Sequence, residues 1–195
     1  MAGYEEFTGE YVGRVLVNAS IILSPDPRAE RHNVTMEGSA RIREWPYPGY
    51  ERRILPNGRV QIDLEMVESR ISGRVSALGD DIVITETIGH RNFGTLTQIN
   101  RGEDFPAAFA LKRLVRFDTP IGVMYNEEPV DLRATLTSIP PVVSADTPVG
   151  PNVFESVNTP VPLLSAEGRV VALFSDSPES RANCIVRMIE AEQIA

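Results

Sequence analysis

The sequence has few of the residues from which most metal and redox centres are built. Its 195 residues include one cysteine, Cys184, and two histidines, His32 and His90. A single cysteine excludes an internal disulfide. A structural zinc site takes four Cys or His ligands, commonly in pairs such as Cys-x-x-Cys, and no such pair occurs here. The sequence therefore predicts no metal site.

Motifs for cofactors and for nucleophilic catalysis are also missing. There is no Gly-x-Gly-x-x-Gly fingerprint and no phosphate-binding loop with Gly-Lys-Ser/Thr, so we expect no cofactor of the nucleotide type. There is no Gly-x-Ser-x-Gly elbow for a nucleophilic serine. Cys184 lies in the apolar run "NCIVRMI", which is more typical of a small buried residue than of a Cys–His dyad.

Lysine is nearly absent, since Lys112 stands against 18 arginines. The arginines are scattered, which indicates a high-GC genome, as in actinomycetes or some proteobacteria, rather than anion recognition, for which arginines cluster. The formal net charge is −8, and an acidic surface repels nucleic acid and anionic membranes. No apolar run reaches about 18 residues, and the first residues lack the pattern of a secretory signal. We therefore expect a cytoplasmic protein that binds neither nucleic acid nor membranes.

What the sequence does contain is alternation with a period of two. "RVQIDLEMV" and "VDLRATLTSI" place apolar and polar residues on opposite faces, as in half-buried antiparallel strands. Further strands are predicted at 11–23, 33–43, 81–88, 93–100, 109–118 and 168–176. Asn57-Gly58 predicts a hairpin with a type I′ turn. The pattern predicts one all-β domain over 1–195, an antiparallel β-barrel or closed sandwich of about eight strands.

Two segments depart from this alternation. The stretch 139–162 holds six prolines in 24 residues and is predicted to form a lid or wrap instead of central strands, because proline lacks a ladder donor. For 178–192 we predict a C-terminal helix with Pro178 in its first turn. A final strand over Cys184 to Ile189 is the competing interpretation.

Aromatic residues give the most suggestive pattern for a ligand site. They lie near predicted strand ends, where barrels bind ligands. Tyrosine and tryptophan join an apolar body to one hydrogen-bonding group, which suits an apolar ligand with a carbonyl or hydroxyl. Ordinary core packing is the alternative for each of them. The candidate catalytic residues are Tyr47, Tyr50, Tyr125, Glu65 and His90, and the candidate substrate-binding residues are Trp45, Phe93, Met66, Met124 and Phe154.

Two resemblances bear on the fold. "LRATLTSIPP", "PVPLLSAEGRVVA" and "GRVQIDLEMVESRISG" resemble a bacterial β-rich family of unknown function, which implies an all-β fold and assigns no active residue. In size, strand content and composition the chain is also similar to cofactor-free β-barrel cyclases of polyketides, including [4+2] cyclases. That similarity is one of class, without a shared motif.

The leading hypothesis is a cofactor-independent cyclase or isomerase that encloses an apolar, polyketide-like substrate in its barrel. The alternatives are a β-sandwich module that binds a protein or sugar without catalysis, and a lipocalin-like carrier. An enclosed pocket of about 300 Å3 or more is expected for the enzyme and the carrier. A long edge strand such as 11–23 could also pair with a second copy to form a homodimer.

Overall fold

The fold is all-β and antiparallel, as predicted. A computed structural model of the protein describes residues 9–158, 160–175 and 184–194. A 3-10 turn spans Ser76–Leu78, after β4. The strands are β1 (Glu10–Ile22), β2 (Arg31–Glu44), β3 (Arg52–Ile54), β4 (Val60–Val75), β5 (Asp80–Glu86), β6 (Asn92–Gln98), β7 (Ala107–Arg113), β8 (Val115–Thr119), β9 (Gly122–Tyr125), β10 (Val130–Leu136), β11 (Val153–Ser156), β12 (Val161–Leu164), β13 (Val170–Ser175) and β14 (Ile185–Gln193).

These strands form one sheet that closes into a ring. The order is β13-β12-β9-β8-β5-β4-β2-β1-β14-β11-β10-β7-β6, and closure comes from β13 pairing with β1 and β6 pairing with β4. The prediction of about eight strands is therefore wrong as a count, because the described residues alone form a sheet of 14.

The larger count arises because long strands are interrupted. Along β4, β5 pairs with residues 70–75 and β6 with residues 61–66, so the two short strands follow one another. The pairs β7–β8, β9–β10, β11–β12 and β13–β14 succeed each other in the same way. We call the level of these interruptions the waist. In the described residues it includes 87–91, Leu114, 126–129 and Asn158.

The hairpin predicted at Asn57-Gly58 is present with a different turn. The N–H of Gly58 bonds to the carbonyl of Leu55 at 2.8 Å. Gly58 has φ +79°, whereas Asn57 has no positive φ, as a type I′ turn would need. Pro56 fixes a negative φ at the first turn position, so the loop is a type I turn followed by a left-handed glycine.

The C-terminal helix is wrong for the described residues, which form β14, so the competing strand interpretation is the correct one. Ile185, Val186 and Met188 are buried between β1 and β11 there. Pro178, the predicted helix start, lies outside the described residues.

The Pro-rich segment contributes strands after all. β11 lies between β14 and β10, and β12 lies between β13 and β9. Both strands are four residues long, and Pro162 is half-buried in β12. The preceding residues run along the edge of β14 beyond its pairing with β11: the N–H of Val143 bonds to the carbonyl of Met188 at 2.9 Å, and Arg187 donates to the carbonyl of Thr147. A backbone hydrogen bond and Arg187 therefore hold these residues against β14.

Strand β1 is not an edge strand. It pairs with β2 along one side and with β14 and β13 along the other. The prediction that 11–23 forms an edge strand is therefore wrong, and a homodimer stays a prediction that this strand does not support. Inward-facing side chains from the ring form one apolar core, which includes Tyr11, Leu64, Leu96 and Phe117.

Candidate functional site

The interior of the barrel contains two small apolar voids. The larger is about 30 Å3 and is lined by Arg113, Phe117, Phe174 and Cys184 among aliphatic side chains. The smaller is about 20 Å3 and is lined mainly by aliphatic and aromatic side chains from β1, β2, β7 and β14. Leu132 and Val186 line both voids, so they form the partition between them.

These voids are far below the expected pocket size. A water molecule needs roughly 10–15 Å3 of such space, and ligand pockets begin at about 300 Å3. The expectation of a preformed, substrate-sized cavity is therefore wrong for the voids that the described interior residues line.

Three asparagines close the gaps in the ladder at the waist. Each side-chain amide accepts one hydrogen bond from a backbone N–H of the segment beside it in the sheet. It also donates one hydrogen bond to a backbone carbonyl of that same segment. A primary amide thus replaces the peptide group that the interrupted strand lacks. The bonds are those of Asn92 with the N–H and C=O of Leu114 (2.8 and 3.3 Å), of Asn126 with Val115 N–H and Arg113 C=O (2.7 and 2.9 Å), and of Asn158 with Asp131 N–H and Pro129 C=O (2.9 and 2.7 Å).

A buried ion pair lies at the same level. Arg113 is 6% exposed, and its Nη2 donates to Oε1 of Glu86 at 2.5 Å and to the hydroxyl of Ser69 at 2.8 Å. Ser69 and Asn92 also donate to the Glu86 carboxylate. Nε of Arg113 is buried and has no hydrogen-bond partner. Arg113 thus lines the larger void and has one buried donor, Nε, without a hydrogen-bond partner.

Cys184 lies in the same wall. It is 2% exposed, and burial raises the pKa of its thiol to about 12, against a smaller opposing effect of the Arg113 charge. A thiol with so high a pKa stays protonated and is a poor nucleophile. The sequence-based interpretation of Cys184 as a buried small residue is confirmed.

A second buried ionisable group is Glu44, the last residue of β2. It is 1% exposed, and its Oε1 has no hydrogen-bond partner. Burial raises the pKa of this carboxyl to about 8. Tyr11 is buried as well; burial, followed by the nearby Glu44 charge, raises the pKa of its phenol well above the usual value. Burial therefore favours the neutral form of the Glu44 carboxyl.

The predicted residues Tyr50 and Glu65 meet on the outer face of the barrel. Register places Glu65 opposite Arg43 of β2 and Phe93 of β6. The Tyr50 hydroxyl donates to Oε2 of Glu65 at 2.5 Å, and Arg91 donates to both oxygens of the carboxylate, with its Nε at 3.0 Å from Oε1. The loop after β2 thus folds over β4 and covers a charged residue.

The electrostatics of this outer cluster do not favour proton transfer at neutral pH. Burial acts to raise the pKa of Glu65, but hydrogen bonds from Arg91 and Tyr50 outweigh it and hold the pKa below the usual value. Burial, then the hydrogen bond to Glu65, raises the pKa of Tyr50 to about 12. The pair is a carboxylate and a neutral phenol, which is the arrangement of a stable ion-pair network.

Aromatic rings and arginines alternate around this cluster. Tyr47 packs edge-on against Tyr50 with ring centroids 5.8 Å apart. The guanidinium groups of Arg43, Arg52 and Arg91 lie 4.6, 5.6 and 4.3 Å from ring centroids, over Tyr47, Trp45 and Phe93 respectively. Trp45 also packs against the core, and it lines neither interior void.

The remaining predicted residues lie in separate places. Met66 and Phe154 are buried and line the smaller void. Met124 is buried opposite Phe117. Tyr125 is half-buried beside Arg116, and His90 is exposed in the turn after β5. The predicted set is therefore divided between the interior and the outside of the barrel.

An open groove of about 780 Å3 lies on the outer face of β6, β7, β10 and β11. Its floor consists of short side chains, among them Thr95, Thr97, Ala108 and Ala110, and residues 150–157 form one border. Arg133 and Glu155 give it charges of both signs. This surface is large enough for a ligand but is more polar than the interior.

A family model describes residues 10–164, from the start of β1 to the end of β12. The chain belongs to DUF6004, a family of unknown function. The match gives no active residue, in agreement with the predicted resemblance to an uncharacterised β-rich family.

Among solved structures, the DUF6004 chain is similar to DynF from the dynemicin biosynthesis pathway of Micromonospora chersina. The TM-score is 0.66 at 16% identity, covering 93% of this chain and 82% of DynF. At that identity the similarity concerns the fold. No curated protein sequence matches the chain.

The described residues include no helix long and apolar enough to cross a membrane. They also bring together no group of three or more His, Cys, Asp or Glu residues that could hold a metal ion.

Sequence reasoning missed Arg113 and Glu44, although the signal was available. In "AFALKR", Arg113 alternates in phase with Phe109 and Leu111, which are both buried. Glu44 likewise follows Ala40 and Ile42 in phase along β2. A charged residue on the apolar face of a period-two pattern is the sign of a buried ionisable group.

Proposed function

We propose that this protein acts in natural-product biosynthesis and binds an elongated apolar intermediate inside its barrel. The observation that carries the proposal is the arrangement of the two apolar voids, which lie on either side of Leu132 and Val186. Repacking of these two aliphatic side chains would join the voids into one elongated apolar space.

Binding requires the interior to open, because the voids are smaller than any such ligand. The waist supports this opening. There the ladder depends on side-chain amides of Asn92, Asn126 and Asn158, where continuous strands would have a backbone ladder. Segments with fewer backbone hydrogen bonds open at a lower free energy than intact strands.

The similarity to DynF supports the biological setting. DynF belongs to the dynemicin biosynthesis pathway, and the two folds match over most of both chains. Of the predicted substrate-binding residues, Met66 and Phe154 line the smaller void, and Met124 is buried in the core outside both voids.

The catalytic form of this proposal is a cofactor-independent cyclisation or isomerisation, including a [4+2] reaction, of the bound intermediate. Holding a chain in a reactive shape can lower a barrier by up to about 7–11 kcal/mol. The predicted catalytic residues Tyr47, Tyr50, Tyr125, Glu65 and His90 line neither void, so confinement would carry this catalysis. The carrier form binds the same intermediate and releases it unchanged.

The second candidate is a non-catalytic module that binds a partner through its outer surface. The small size of the voids and the 780 Å3 groove favour it. The two candidates place a ligand on opposite sides of the same wall, so matched variants on the two sides can separate them.

The experiment is a fluorescence titration with 1,6-diphenylhexatriene, an elongated apolar polyene. Interior binding predicts saturable fluorescence that Val186→Phe, which fills the partition, reduces strongly. Val157→Phe, at the border of the outer groove, should leave the titration unchanged. Loss of binding in Val157→Phe with normal binding in Val186→Phe would favour the outer surface instead. Chromatography of a conjugated linear polyene after incubation would then distinguish enzyme from carrier by a cyclised isomer of unchanged mass.

A further inference from the structure

The unused donor on Arg113 has no role in the ion pair that holds the residue. Glu86 and Ser69 both bind Nη2 of Arg113, whereas Nε is buried without a partner. A buried donor without an acceptor costs about 1–3 kcal/mol. Such a group in a native structure needs an explanation, and a ligand acceptor is one.

The surroundings of Arg113 match a ligand oxygen better than a water molecule. A buried water makes about three hydrogen bonds on average. The residues that line the larger void have polar side-chain atoms only in Arg113 and Cys184, and the others are aliphatic or phenylalanine. A single acceptor atom attached to an apolar chain would satisfy the donor and fill the space with carbon.

Charge decides what kind of oxygen this is. Arg113 is paired with Glu86, whose side chain is 12% exposed, so the two charges compensate. A carboxylate placed at Nε would leave one net negative charge buried, which is strongly unfavourable. A neutral carbonyl oxygen accepts the same hydrogen bond and adds no charge.

We infer that Arg113 binds the neutral carbonyl oxygen of an apolar ligand, such as a ketone, ester or thioester, through its free Nε–H. This inference rests on the proposed interior binding and names the ligand class. Arg113 is here a binding residue that positions the carbonyl at the waist of the barrel.

The test uses three probes that share one fluorescent core: diphenylhexatriene, its propionic acid derivative and the methyl ester of that acid. The ester should bind the wild-type protein more tightly than either of the others. Arg113→Lys keeps a cation for Glu86 but has no Nε, so it should weaken ester binding by about tenfold to a hundredfold, the value of one hydrogen bond to a charged group. Binding of the hydrocarbon should change little. Ser69→Ala removes a partner of Nη2 and should preserve the preference for the ester.

An infrared measurement keeps the inference testable if Arg113→Lys does not fold. With a 13C-labelled ester carbonyl, binding to the wild-type protein should shift the carbonyl stretch to lower frequency, as a strong hydrogen bond does. An unshifted band, or equal affinity of the wild type for ester and hydrocarbon, would overturn the role of Arg113 and leave interior binding intact. Failure of all three probes to bind would instead overturn the proposed function.

Discussion

The Tyr50 hydroxyl donates a hydrogen bond of 2.5 Å to Oε2 of Glu65 on the outside of the barrel. The two residues lie on either side of a hairpin, and the bond fastens the loop after β2 onto the face of β4. Arg91 completes the arrangement by binding both carboxylate oxygens. This contact makes the aromatic loop part of the structure of the barrel wall.

We therefore predict that Tyr50→Phe lowers stability without changing ligand binding. The substitution removes one hydrogen bond to a charged group, worth about 1.5–3 kcal/mol. Urea denaturation measures the loss, and a diphenylhexatriene titration of the same sample measures binding. A large loss of affinity in a folded Tyr50→Phe variant would mean that Tyr50 takes part in ligand binding.

The same contact predicts a dependence on acid. Because the pKa of Glu65 is lower in the fold than in the unfolded chain, its pairing stabilises the protein above the unfolded pKa of about 4.3. That contribution is lost as the pH falls through the folded pKa. Below about pH 4, the free energy of unfolding of Glu65→Gln should therefore fall less steeply with decreasing pH than that of the wild type.

How far the sequence predicts this arrangement depends on which contacts are local. Alternation predicts β2 and β10 well, because each buries one face. It also presents 109–118 as one strand, whereas the ladder breaks at Leu114. The groups that replace the ladder there, Asn92 and Asn126, lie far from Leu114 in sequence or across a turn, and local periodicity contains no information about them.

The site shows the same limit. Proximity of Trp45, Tyr47 and Tyr50 to a hairpin was predictable, since turn chemistry is local. Where each ring lies depends on how the loop folds back: Tyr50 lies on the outer face with Tyr47 against it, whereas Trp45 packs against the core. The phase of Arg113 with Phe109 was readable from the sequence, but its pairing with Glu86 required the fold.

The burial of Glu44 leads us to predict that the protein loses stability as the pH rises. Its pKa is about 8 in the fold, above an unfolded value near 4.3, so the folded protein retains a proton that the unfolded chain releases. The contribution of Glu44 to the free energy of unfolding is therefore largest at low pH. It falls as the pH rises from about 4.3 to 8.

Glu44→Gln should remove this dependence because glutamine stays neutral. Between pH 6 and pH 9 the wild type should lose about 3 kcal/mol more than the variant, from two pH steps of about 1.4 kcal/mol each. Guanidinium denaturation at the two pH values measures the difference. Parallel slopes for the two proteins would show that Glu44 is ionised in the fold.

The asparagine bridges predict a localised weakness at the waist. Asn126→Ala would leave the N–H of Val115 and the carbonyl of Arg113 without their partner, and each buried unpaired group costs about 1–3 kcal/mol. Hydrogen exchange of the Val115 amide should accelerate strongly. Asn100→Ala is the control, since Asn100 is exposed and its side chain bonds to Glu103 at the surface. Equal exchange in both variants would contradict the bridging role.

The position of Leu132 between the two voids leads us to predict that shortening its side chain enlarges the interior. It is 2% exposed and lines both voids, so Leu132→Ala should join them into a single space. The substitution should destabilise the protein by about 2–5 kcal/mol, as large-to-small changes in a core do. It should also raise the affinity for diphenylhexatriene, because the wild-type protein has to repack that side chain before the ligand fits.

Leu136→Ala is the matched control for this change. Leu136 is 1% exposed in the same strand but lines neither void. Its loss should cost a similar free energy of unfolding without tightening the binding of the probe. Tighter binding in Leu132→Ala alone would place the ligand between the two voids, since general loosening of the core would affect both variants. Equal affinity of the two variants and the wild type would mean that the partition does not limit binding, and the ligand space would then have to lie elsewhere.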